Sequence, residues 1–189
     1  MLSTGIPGIR IPRGTLTEIS GPPSSGRTSI LNAALARATH LPEFCALIDA
    51  GGNFDPRSAA VAGVQLRHLL WVRCGGSAEN ALKAADLIIQ GGGFGVVALD
   101  LAGVPSRDAR RISLASWFRL RHTVEKTSTA LILVEEERNA ASCSTLQIEG
   151  RATNFQITGG LLRGLTVDAT LGPRTRGRAT FALKPLYSE

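Results

Sequence analysis

The 189-residue chain has three cysteines, Cys45, Cys74 and Cys143, and no pair of them has the CxxC spacing of a zinc site or a redox dithiol. Its histidines, His40, His68 and His122, stand at no ligand spacing from one another or from a cysteine, so no zinc site is expected and the thiols read as buried and reduced. No run of about 18 apolar residues is present, which argues against a helical membrane span. The most apolar stretch, 87–104, is interrupted by Gln90, Gly91, Gly92, Gly93 and Asp100. The opening MLSTGIPGIRIPRG lacks the long apolar segment of a secretion signal, so a cytoplasmic location is expected. A hydrophobic content of 43% with 19% charged residues excludes low-complexity and collagen-like classes. With no internal repeat and no dividing linker, residues 1–189 are expected to form one domain, strand-rich from about residue 144.

What is present is basic. The formal charge is +6, and arginines cluster at Arg107, Arg110, Arg111, Arg119 and Arg121 and again at Arg174, Arg176 and Arg178. Such clusters suit a nucleic acid or an acidic protein partner, and they suit a plainly solvated face equally well.

Strand and helix signals alternate through most of the chain. Residues 15–19 predict a strand, then a Gly-rich turn, then a helix over 28–38. Residues 44–48 and 69–72 predict further strands, and Asp55-Pro56 is a helix start with Asp55 as cap. Residues 77–90 carry Ala81, Leu82, Ala85, Ile88 and Ile89 at helical spacing behind a Ser77 cap. A buried strand over 96–99 ends at Asp100, and Asp108 is expected to cap a helix reaching His122 with a stripe of Ile112, Leu114, Ala115, Phe118 and Val124. A buried strand over 130–134 is expected to stop at Glu135-Glu136-Glu137. Four short strands, 146–149, 154–157, 165–169 and 180–183, follow between Gly-rich turns. The order implies an α/β fold with a mostly parallel central sheet flanked by helices, extended by C-terminal antiparallel strands.

One stretch carries chemistry. Gly21-Pro-Pro-Ser24-Ser25-Gly26-Arg27-Thr28 fits the phosphate-binding pattern GxxxxGK[ST], with arginine in place of lysine, and lies between a strand and a helix. Glycines let the backbone wrap a phosphate, amides and the helix N-terminus supply positive potential, and Thr28 offers a hydroxyl to Mg²⁺. Asp100, at the end of an apolar strand, suits the metal's water shell. A planar guanidinium does not replace a compact ammonium between terminal phosphates. Arg27 leaves three states open: an unused site, binding without turnover, and a competent ATPase.

With their flanks, these residues resemble the RecA recombinase family. Gly14-Thr-Leu-Thr-Glu-Ile-Ser-Gly21, Cys45-Ala-Leu-Ile-Asp-Ala50 with Phe54-Asp55-Pro56, and Ala78-Glu-Asn-Ala-Leu82 carry the likeness, over about residues 5–138. The resemblance implies a RecA-like P-loop NTPase core with ATP and Mg as cofactors at Gly21, Ser24, Ser25, Gly26, Arg27, Thr28, Asp55 and Asp100. It also shows departures. Gly51 stands where the family has its catalytic glutamate, Ser58 where it has an adenine-stacking tyrosine, and Glu136 where it has a sensor glutamine. Glu136 is the one remaining candidate for a catalytic group. The resemblance further implies that the family's DNA-binding loops are reduced, the second to 139–144, and that its N-terminal subunit-docking arm has no counterpart. Such a trimmed core is similar to ImuA-type accessory proteins of damage-induced mutagenesis, with residues 138–149 resembling their post-strand segment. Expected partners are then a polymerase-complex protein or RecA itself, with single-stranded DNA through Arg107, Arg110, Arg111, Arg174, Arg176 and Arg178, and no membrane.

Overall fold

The protein is described by a computed structural model over residues 1–41, 43–173 and 176–184. Two short strands, β1 (Leu2–Ser3) and β2 (Arg10–Ile11), form an N-terminal ribbon that sequence patterning did not reveal. Then follow β3 (Thr15–Ser20), α1 (Arg27–His40), β4 (Cys45–Asp49), α2 (Pro56–Val61), β5 (Leu69–Arg73), α3 (Ala78–Gly91) and β6 (Val96–Asp100). The remainder is α4 (Ser106–Ala109), α5 (Leu114–Val124), β7 (Ala130–Glu135), β8 (Leu146–Thr158), β9 (Leu161–Pro173) and β10 (Gly177–Leu183).

One sheet carries eight strands in the order β10-β9-β8-β3-β7-β6-β4-β5. The six from β8 to β5 are parallel, and β9 and β10 continue the sheet antiparallel. This is the predicted α/β architecture. The central strands are apolar on both faces because both are covered. On one face Ile19, Leu47, Ala98, Ile132 and Val134 pack against Ile30, Leu31 and Leu35 of α1, with Leu2, Ile9 and Ile11 of the N-terminal ribbon in the same core. On the other, Leu16, Ile48, Leu99, Leu131 and Leu133 pack against Ala81, Ala85 and Ile89 of α3 and Trp117, Leu120 and Val124 of α5.

Two expectations are corrected. Asp108 caps no long helix: it lies inside the four-residue α4, and α5 starts at Leu114 with Ser113 accepting from the Ser116 amide. The new start changes the buried face, so Leu114 and Phe118 are exposed while Trp117, Leu120 and Val124 are buried. The C-terminal region holds three strands rather than four short ones, because 146–149 and 154–157 lie in one 13-residue strand, β8. Gly150, which reads as a turn, is in mid-strand because a β-carbon there would lie 2.5 Å from the carbonyl oxygen of Ser25. Glycine admits the close approach of another backbone. All three cysteines are free, with Cys45 and Cys143 buried and the Cys45 thiol pushed up to about 12 by burial.

Candidate nucleotide site and the segments that close it

The carboxyl ends of β3, β4, β6 and β7 deliver the functional residues to one edge of the sheet, where ligands of open α/β sheets bind. From β3 the chain passes through Gly21–Gly26 into α1. Ser24 holds φ at 64°, a strained value for a residue with a side chain. Gly26 precedes α1 at φ 85° with no side-chain cap, and Thr28 is exposed. The loop is packed tightly from behind. A β-carbon on Gly21 would lie 2.6 Å from the Gly150 carbonyl oxygen, and one on Gly26 would lie 2.8 Å from Val167 Cγ2. Ser25 is buried here, and its Oγ has no hydrogen-bond partner among the described residues. The loop glycines thus serve contacts with β8 and β9 irrespective of any ligand.

Arg27 does not reach outward. Its guanidinium folds back over the loop, donating one N–H to the Gly21 carbonyl and another to Glu136 Oε1 at 3.2 Å. The Arg27 side chain is 11% exposed and that of Glu136 43%. Two of the departures from the family pattern are therefore partners. Arginine in the loop and glutamate at the end of β7 make an ion pair with each other.

The other two departures resolve differently. At position 51 there is no room for any side chain: a β-carbon on Gly51 would lie 2.1 Å from the Ala102 carbonyl oxygen. Asn53 holds that carbonyl through Nδ2 at 2.9 Å, and the glycine at 103 makes space for the Asn53 amide. The segment after β6 is thereby bolted over the place where the catalytic glutamate would project. Ser58 donates its hydroxyl to Asp55, whose carboxylate also accepts the Arg57 and Ser58 amides as the cap of α2. The Ser58 bond chiefly holds the Asp55 carboxyl below its ordinary value.

Asp100 is buried beside Asp49 in register. Burial pushes its carboxyl up to about 6, helped by the Asp49 charge and opposed by the Ala102 amide and the Arg27 cation. Asp49 accepts the amides of Gly52, Asn53 and Phe54 and the Trp71 indole N–H, so it organises the turn after β4. A nucleotide with Mg²⁺ would look to the α1 amides, Thr28 and Asp100. With Arg27 paired to Glu136 and with burial raising the Asp100 carboxyl above its ordinary range, the residues as arranged do not fit a terminal phosphate and its metal.

Sequence reasoning missed a second carboxylate pair on the opposite face of the sheet. Glu18 of β3 and Glu135 of β7 are both buried and hydrogen-bonded to each other. Glu18 accepts the Ala140 amide at 2.9 Å and the Ser144 hydroxyl at 3.1 Å, while Glu135 accepts the Asn139 amide at 2.8 Å and its Nδ2 at 2.9 Å. The pair fixes the short 139–144 turn. Burial first, then the bond to Glu18, push the Glu135 carboxyl up to about 9. The signal available in the sequence was Glu18 itself, a charge in the middle of a buried strand.

The basic candidates scatter. Arg110 pairs with Glu137, and Arg107 and Arg111 lie 3.7 and 3.8 Å from Asp108, all on the exposed face of α4 and the turn after it. Arg176 and Arg178 are exposed at the start of β10, away from these in the sheet order, and Arg174 lies outside the described residues.

A family model described as the RecA N-terminal domain matches residues 2–139. Protein RecA of Deinococcus radiodurans is 34% identical over 152 residues, which is 72% of this chain and 41% of that protein. Protein RecA of Rhodospirillum rubrum is 32% identical over 151 residues, 72% of this chain and 40% of that protein. The chain thus spans about two fifths of the length of these relatives. A crystal structure of the RadB recombinase superposes with a TM-score of 0.71 at 16% identity, covering 96% of this chain and 95% of that one.

Proposed function

The chain belongs to the RecA N-terminal domain family, and from that premise we propose that it is a non-catalytic accessory module of DNA repair, an adaptor whose P-loop is kept as architecture. The observation that carries this reading is the closure of position 51 by the Ala102 carbonyl. A general base or water-positioning group contributes about 10²–10⁴-fold to such reactions, and no side chain can be delivered there. Glu136, the remaining candidate, is engaged by Arg27. The alternative reading, an active RecA-type DNA-dependent ATPase, needs both arrangements undone.

An adaptor needs surface for a partner. The tip of the β8–β9 ribbon exposes Phe155, Ile157, Leu161 and Leu162 together, beside Arg151 and Arg163 and without an acidic residue between 150 and 167. Exposed large apolar side chains on both faces of a ribbon tip suit a protein contact. On the ImuA-type likeness the setting is damage-induced translesion mutagenesis in the cytoplasm, the partner a polymerase-complex protein or RecA, and the exposed arginines a secondary contact with single-stranded DNA. Complementation of a strain lacking the protein tests the assignment. Asp100→Asn is expected to restore damage survival and mutagenesis as fully as the wild type; failure of that variant, while folded and expressed, would favour the ATPase.

A further inference from the structure

We propose that Glu136 is an internal occupant of the phosphate cradle, so that the P-loop is autoinhibited by its own chain rather than incapable of holding an anion. The inference rests on the non-catalytic reading above and adds how the same site is controlled. A guanidinium recognises carboxylate and phosphate through the same charge-assisted N–H···O bonds, so the two anions compete for one cation. In this protein the competitor is built in. Arg27 spends one donor on the Gly21 carbonyl and one on Glu136, and it has no other acceptor among the described residues.

The surrounding charge points the same way. Asp49, Asp100 and Glu136 bring three carboxyl groups to this edge of the sheet, and Arg27 is already engaged by one of them, so an incoming polyphosphate meets carboxylates and finds that cation occupied. Opening the pair leaves the largely buried Arg27 without its hydrogen-bonded carboxylate, a state that an arriving anion relieves. The uncapped first turn of α1 supplies the remaining attraction.

The latch is also connected. Glu136 sits between Glu135, which holds Asn139, and Glu137, which holds Arg110. Displacing the Glu136 carboxylate therefore pulls on the 139–144 turn and on α4. Conversely, a partner that draws Arg110 away from Glu137 loosens the latch.

The test is equilibrium binding of a fluorescent ATP analogue and of inorganic triphosphate, each with Mg²⁺, to the full chain as wild type, Glu136→Gln, Glu136→Ala and the double variant Arg27→Ala/Glu136→Gln. Wild type is expected to bind neither ligand at about 1 mM, a free energy of roughly −4 kcal/mol. Glu136→Gln and Glu136→Ala are expected to gain at least about tenfold in affinity for both ligands, and the double variant to lose that gain. Thermal melts establish that the variants are folded, and two replacements at Glu136 guard against one that is not. No gain in either folded Glu136 variant, a gain that survives loss of Arg27, or tight wild-type binding would each overturn the latch. Phosphate release is read in the same samples. Binding without release in Glu136→Gln is expected; release would sink the non-catalytic assignment while leaving the latch standing.

Discussion

At the scale of single residues, the site is decided by what each substitution touches. Lysine to arginine looks conservative in sequence, but the wider guanidinium finds a carbonyl of its own loop and the carboxylate of Glu136. That Arg27 and Glu136 are complementary was not legible, since 108 residues separate them and only the β3–β7 pairing brings them together. Gly51 was legible as a missing glutamate; that the position is sterically closed was not, because the carbonyl that closes it comes from Ala102. Glu135 gives the clearest residue-level prediction. Its carboxyl is pushed from an ordinary 4.5 up to about 9, so between those values the native state holds a proton that the unfolded chain has released. Stability is then full below about pH 4.5 and falls as pH rises through that window. Glu135→Gln, which offers Glu18 an N–H donor at every pH, is expected to flatten the decline. Thermal melts between pH 5 and 9 check this: the wild type should lose roughly 5 °C or more that the variant keeps.

At the scale of elements, the parallel strands were readable because burial on both faces makes them continuous apolar runs. The C-terminal strands were not, since Gly150 looks like a turn and is in fact a clearance. Glu135, Glu136 and Glu137 show a related limit. Only Glu135 belongs to β7 and the chain bends at Glu136 and Glu137, so a run that reads as one acidic strand stop meets the Glu18 carboxyl, the Arg27 guanidinium and the Arg110 guanidinium in turn. The antiparallel ribbon supports the loop from behind, which gives the loop glycines a packing role that does not depend on turnover. Gly150→Ala sets a β-carbon against the Ser25 carbonyl oxygen and is expected to destabilise the fold by about 1–3 kcal/mol, read by urea denaturation. An unchanged midpoint would remove the structural reason for keeping the loop.

At the scale of the molecule, the sheet order, the covered faces and the edge carrying the site follow the RecA pattern, as the strand–helix alternation indicated. The departures gather at that edge. One segment, after β6, covers the position of the catalytic group; another, after β7, is pinned by two buried carboxylates; and the cation of the loop is held by the chain itself. These are three separate contacts, and the first and third are the ones on which the proposed non-catalytic reading rests. The exposed apolar side chains that the proposed adaptor role would use lie elsewhere, at the tip of the β8–β9 ribbon. The most direct test is phosphate release by the purified full chain at millimolar ATP and Mg²⁺, with and without single-stranded DNA, beside the Asp100→Asn variant. The account predicts that wild type and variant both stay at background under every condition. Release above background by the wild type that Asp100→Asn abolishes would contradict it.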